Sequence, residues 1–191
     1  MALSFHQKVL VKGPLVLDRF NKVEFDGKTE VPFITERKEQ TISLWMIIHE
    51  TSTHGRNVLF WGNSVSEPRP SIFVRNKDHK SGYEVEVKMG SDCVVEFRPP
   101  ELDTWFHTTI VIHRHVVLIY LNGEMKKAFA HHTPFLPDRV LHLASNIGSK
   151  WAVGGIEIKN LIIADSIVNQ SYINTHFCET PSQEGESKSS L

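Results

Sequence analysis

Between Lys8 and Asp165 apolar and polar residues alternate in short runs, cut by turn residues about every ten positions. Successive side chains on a strand point to opposite faces, so each run predicts a β-strand and the series predicts an antiparallel sandwich. Ile42, Leu44, Met46 and Ile48 share one face of a strand whose other face carries Thr41, Ser43, Trp45 and Ile47. Both faces are largely covered, which places this strand in the interior of a sheet. Runs at 57–61, 71–76, 83–89, 93–98, 105–112, 116–121, 125–130, 140–144 and 155–163 continue the pattern. The total is about eleven or twelve strands. Asp26-Gly27 and Asn122-Gly123 supply residues that accept positive φ, as the tight turn of a hairpin requires. Residues 165–177 are the one stretch that could form a short helix, against its β-branched content. The sequence carries no internal repeat.

Composition agrees with the pattern. The chain has 18 Val and 15 Ile but 6 Ala among 191 residues, and β-branched side chains suit a pleated surface better than a helix. Lys and Arg number 21 against 22 Asp and Glu. That balance offers no electrostatic attraction for nucleic acid or an anionic membrane, so neither is an expected partner. The apolar stretch 9–17 is interrupted by Lys12, Gly13 and Pro14, and no run approaches the length of a membrane span. With only Cys93 and Cys178, unspaced for any redox motif, the expected setting is the cytoplasm with both thiols free. There Asn169-Gln170-Ser171 would not serve as a glycosylation acceptor. Residues 1–178 are expected to form one domain, and 179–191 (ETPSQEGESKSSL) a flexible polar tail.

Four ordered blocks carry a resemblance. Lys22-Val23-Glu24-Phe25-Asp26-Gly27 and Gln40-Thr41-Ile42-Ser43-Leu44-Trp45-Met46 resemble the opening turn and strand of the laminin-G-like, or concanavalin A-like, lectin/glucanase family. Leu102-Asp103-Thr104-Trp105-Phe106-His107, running through to Asn122-Gly123-Glu124, is similar to that family's central pair of strands. Leu141 to Ser145 and Gly155 to Ile163 resemble its closing strands. The resemblance implies an all-β fold, an antiparallel two-sheet jelly-roll sandwich. It also implies that His113-Arg114-His115 forms an exposed hairpin tip, where this chain lacks the family's usual glycine. Trp45 and Trp105 sit in runs of apolar alternation, where an indole is more often core than ligand platform, and both are expected in the core.

The same architecture hosts glycoside hydrolases with carboxylates along one strand, and Glu84-Val85-Glu86-Val87-Lys88 comes nearest to such an array. Lys88 or Met89 stands where a third carboxyl belongs, so a solvated strand face of mixed charge is the expectation. Eleven histidines invite a metal reading, but their spacing matches no ligand motif, and they are expected to face solvent. Some relatives bind Ca²⁺ at the rim, which makes Asp78, Asp92 and Asp103 conceivable ligands, although no loop motif surrounds them. Neither a metal nor a cofactor is expected. What remains is binding. Trp61 and Trp151 are the tryptophans outside the family's core positions, with Asn63, Arg69, Arg75 and Asn76 nearby as polar contacts. The competing reading has Trp61 end a buried strand and Trp151 cover the open end of the sandwich. The expected function is that of a non-catalytic recognition or scaffolding module for a protein partner or, second, a carbohydrate. Its competitor is a hydrolase acting on a β-glucan.

Overall fold

A computed structural model describes residues 7–17, 23–25, 39–50, 55–62, 70–78, 82–90, 93–98, 101–131, 140–143 and 155–178. In chain order the strands are β1 (Gln7–Val11), β2 (Leu15–Leu17), β3 (Val23–Phe25), β4 (Glu39–Ile48), β5 (Arg56–Trp61), β6 (Ser71–Asp78) and β7 (Gly82–Met89). They continue with β8 (Cys93–Phe97), β9 (Phe106–His113), β10 (Val116–Leu121), β11 (Glu124–Ala130), β12 (Leu141–Leu143) and β13 (Ile156–Ala164). One sheet runs β1-β13-β4-β9-β10-β11, with β2 also on β13, and the other runs β3-β12-β5-β6-β7-β8. Every pairing is antiparallel. The chain is therefore a two-sheet all-β sandwich, as the alternation and the resemblance imply. Among the described residues no helix is long and apolar enough to cross a membrane.

Alternation decides which residues meet between the sheets. Ile42, Leu44, Met46 and Ile48 of β4 face Leu59 and Trp61 of β5, Ile72 and Val74 of β6, and Val85, Val87 and Met89 of β7 across one continuous core. Each fully buried aliphatic or aromatic side chain there contributes about 1.5 to 3 kcal/mol. β13 keeps its inward residues in phase only through an irregularity between Lys159 and Ile162, where Asn160 adopts φ +50°. The extra residue lets Ile156 and Ile158 before it, and Leu161 and Ile163 after it, all point inward.

Asn122 (φ +49°) and Gly123 (φ +79°) make the β10–β11 hairpin tip, with Leu121 opposite Glu124. Arg114, at φ +52°, takes the left-handed position in the β9–β10 tip, where the resemblance would place a glycine. The Asp26-Gly27 turn lies outside the described residues. After β13 comes a helical turn, α1 (Gln170–Tyr172), which widens into a π-helical turn (Ile173–Phe177). Asn169 caps it by accepting from the Tyr172 N–H at 2.8 Å, which is the structural use of the sequon asparagine. This turn lies on the outer face of the first sheet, where Val168, Ile173 and Phe177 form a second apolar cluster with Val111 and Tyr120. It thereby covers the far side of β4 and β9, which explains why both faces of β4 are buried.

Candidate binding surface

Of the residues predicted to bind, Trp61 is corrected by its position. It is 1% exposed and packs between the sheets, in the same inward phase as Leu59 two residues earlier. Its register partner is Leu141, and its backbone N–H donates to the Pro70 carbonyl at 3.0 Å. The indole has no free face to offer a ligand. Asn63, Arg69 and Trp151 lie outside the described residues, as do Asp92 and the residues 179–191. Asn76 sits on β6 opposite Tyr83 of β7.

Arg75 does lie on the outer face of the second sheet, where its Nε is 3.0 Å from Glu86 Oε2. Lys88 Nζ stands 2.7 Å from the other oxygen of Glu86 and 5.4 Å from the centre of the Phe73 ring. Alternation put Glu86 on this outward face correctly, but the face is not the solvated one expected. Glu86 is 1% exposed, and Phe60, Ser71 and Phe73 on the same face are buried too. A carboxylate withdrawn from water needs countercharge, and here two cations supply it. Burial and the charge of Arg75 hold the Lys88 ammonium below its ordinary pKa range.

The histidine expectation also changes. His107 and His131 are buried. His107, on the outer face of β9, has Nε2 2.7 Å from Ser43 Oγ and Nδ1 3.0 Å from Cys178 Sγ, beneath the C-terminal turn. Burial drives its pKa down to about 4 and that of the Cys178 thiol up to about 11. Both are therefore neutral near pH 7, and the pair lacks the thiolate that a nucleophile requires. Trp45 lies beside them, donating from Nε1 to the Phe177 carbonyl at 3.2 Å. It is buried as expected, but in this outer layer rather than between the sheets.

A third group of residues gathers at the rim of the first sheet. β2, β13 and β4 align Val16, Glu157 and Ile47 in one row. Beside that row His49, just past the end of β4, has Nδ1 2.7 Å from Asp103 Oδ1 and Nε2 3.1 Å from Glu157 Oε1. Asp103 belongs to the segment between β8 and β9. It adopts φ +58°, and its N–H donates to the Ile48 carbonyl at 2.9 Å. The hydrogen bond to Asp103, ahead of the contact with Glu157, holds the His49 pKa above its ordinary value. Trp105, two residues on, is half-buried rather than core, and Lys159 Nζ lies 4.1 Å from its ring centre. Leu102, three residues earlier in the chain, and Val16, opposite Glu157, are exposed. An aromatic surface is thus bordered by two carboxylates, an imidazole and an ammonium. The imidazole stands between the two carboxylates, and among the described residues no group of three or more His, Cys, Asp or Glu is placed to hold a metal ion.

Sequence reasoning missed this rim because His49 is 54 residues from Asp103 and 108 from Glu157. The available signals were the polar Asp103-Thr104 immediately before Trp105, and Glu157 and Lys159 on the outward phase of an apolar strand.

Solved structures share this sandwich. The binding domain of botulinum neurotoxin serotype D aligns at TM-score 0.64 and 15% identity, over 91% of this chain and 46% of that one. The ligand-binding domain of the same toxin in complex with N-acetylneuraminic acid aligns at 0.63 and 15%, over 91% and 45%. A sialidase of Trypanosoma rangeli aligns at 0.59 and 14%, over 74% and 23%. The chain spans less than half the length of each of these, and likeness at such identity establishes the fold alone. No curated protein matches the sequence. Residues 21–157, more than half of the chain, match the family described as the concanavalin A-like lectin/glucanases superfamily, and the protein belongs to that family.

Proposed function

We propose that this protein is a non-catalytic recognition module that binds a carbohydrate at the rim built from His49, Asp103, Trp105, Glu157 and Lys159. The observation that carries the reading is the half-buried Trp105 ring, in contact with Lys159 and two residues from the Asp103 that meets His49 and so, through it, Glu157. A sugar ring presents an apolar face to an indole and hydroxyls to flanking carboxylates, so this arrangement suits it. The carboxylates of Asp103 and Glu157, with Glu50 and Glu101 nearby in the chain, favour a neutral sugar over the anionic N-acetylneuraminic acid held by the toxin domain. The non-catalytic part rests on Glu86, the nearest match to a hydrolase carboxylate, whose two oxygens are each engaged by a cation that favours the ionised form, which cannot protonate a leaving group.

A protein ligand is the second reading, favoured by the exposed apolar side chains of Leu102, on the Trp105 segment, and Val16, opposite Glu157. Wild-type protein and Trp105→Ala should be run on an array of neutral and sialylated glycans and against a displayed-peptide library, with thermal melts as folding controls. Binding to neutral glycans that falls at least about tenfold in a folded Trp105→Ala supports the proposal. Selection of peptides alone, sensitive to the same change, moves the conclusion to the protein reading. Ligand binding that Trp105→Ala leaves intact overturns the choice of surface. Turnover of a β-glucan by the wild type overturns the non-catalytic assignment.

A further inference from the structure

We propose that His49 is the bridge of a pH-responsive latch, tying the Asp103 side chain in the segment Leu102–Trp105 to Glu157 of β13 when its ring carries both protons and letting that side chain go when one is lost. The link to ligand binding rests on the rim reading above; the latch itself does not.

The argument begins with the two ring nitrogens. Both face carboxylate oxygens, Nδ1 toward Asp103 at 2.7 Å and Nε2 toward Glu157 at 3.1 Å. Only the imidazolium has two N–H donors. A neutral ring must turn one lone pair toward a carboxylate, so one contact becomes repulsive and the two carboxylates lose the cation between them. The other charged groups around the ring do not substitute for it. Lys159 of β13 is directed over the Trp105 ring, and Arg56 at the start of β5 is bound to Glu50 through its Nη1 to the backbone carbonyl and its Nη2 to Oε1. On the segment itself Asp103 and Glu101 act together on the buried Tyr83 of β7, raising its pKa after burial has done so. Negative charge therefore accumulates on this side, and His49 is the titratable group that stands between Asp103 and Glu157.

Asp103 holds φ +58°, a conformation that costs a residue with a side chain, while its N–H stays bonded to the Ile48 carbonyl. That backbone bond keeps the segment on β4 in either state, so the His49 contact governs the position of the Asp103 side chain. Asp103 and Trp105 are separated by one residue, so letting go of the carboxylate shifts the indole and its contact with Lys159. The latch is closed on the acid side of the His49 titration and opens as pH rises through it.

NMR on the full chain without ligand tests this. The readouts are the His49 ring C–H shifts and the Trp105 indole N–H shift, the latter assigned with Trp105→Phe. The expected result is that both follow one titration, with a midpoint above that of an ordinary histidine. Asp103→Asn and Glu157→Gln should each move that midpoint down, and His49→Gln should abolish the Trp105 transition while the other indoles keep their positions. A Trp105 signal that stays flat while His49 titrates overturns the latch, as does a midpoint that ignores both carboxylate substitutions. Failure of every glycan and peptide on the arrays would sink the binding proposal and leave this titration standing. A flat titration with a Trp105-dependent ligand would do the reverse.

Discussion

Acid should weaken this fold through His107, and the size of the effect follows from where the ring sits. The imidazole is 1% exposed, with a hydroxyl on one nitrogen, a thiol on the other, and the rings of Trp45 and Phe177 at 5.3 Å and 6.5 Å. None of these neighbours is an anion, so nothing offsets the loss of hydration when the ring charges. Its folded pKa is about 4 against 6.5 for an unperturbed histidine. Because the folded value is the lower one, the unfolded chain binds the extra proton first. Stability is therefore at its full value above pH 6.5, declines as pH falls toward 4, and levels off below that. At about 1.4 kcal/mol for each pH unit between those values, the full loss is about 3 kcal/mol. That figure is a ceiling, because the C-terminal turn covering the ring provides a local route to hydration.

The assay is urea unfolding across this pH range for the wild type and for His107→Gln, which keeps a donor and an acceptor but does not titrate. Carboxylates and the raised His49 pKa change stability in both proteins equally, and subtraction removes them. The difference between the two curves should narrow by about 3 kcal/mol from neutral to about pH 4. Parallel curves would refute the reasoning, since they would mean that the ring finds water or a counterion when charged.

Two further substitutions probe separate contacts. Gly123→Ala should cost about 1 to 3 kcal/mol in urea unfolding, because Gly123 holds φ +79° and an added Cβ would collide with the Asn174 side chain. Combining it with Asn174→Ala should recover the collision part and leave the backbone part, whereas equal costs with and without Asn174 would show that the clash contributes nothing. Glu86→Gln should lower stability by about 2 to 3 kcal/mol, less than for a fully buried pair because Arg75 remains partly exposed. An unchanged unfolding midpoint would mean that Arg75 and Lys88 do not depend on this carboxylate.

The strands were legible because each needs only a local signal: period two, a turn every few residues, and β-branched content. The β10–β11 tip was legible for the same reason, Asn122-Gly123 being a pair suited to positive φ. The short helix was foreseen over 165–177 but forms only from Gln170, where Asn169 supplies a cap. Trp61 follows the competing expectation of a tryptophan ending a buried strand: the Gly-Asn-Ser after it suggests a loop, but the phase of Leu59 points it inward. The Lys159–Ile162 irregularity was invisible, since nothing in Lys-Asn-Leu-Ile-Ile specifies which residue is extra. Glu86 shows the limit of alternation, which assigns a face but not what covers that face. Trp105 shows the same limit at the start of a run, where an apolar neighbourhood suggests core for a ring that packs under Lys159 and stays half-buried.

The placement of the rim follows from how each sheet disposes of its outer face. On the first sheet the C-terminal turn occupies β4, β9 and β10 through Trp45, His107 and Tyr120, so a ligand there would have to displace Ile173 and Phe177 from an apolar contact. On the second, Phe60, Phe73 and the Arg75–Glu86–Lys88 cluster are withdrawn from water, and a ligand would have to separate a buried carboxylate from its cations. At the end of β4 neither cost arises. His49, Asp103 and Glu157 keep access to solvent, their contacts with one another are of the exposed kind worth no more than about 1 kcal/mol each, and a ligand or a proton exchanges for them readily. The same weakness that makes this cluster a minor contributor to the fold is what suits it to recognition and to control by pH.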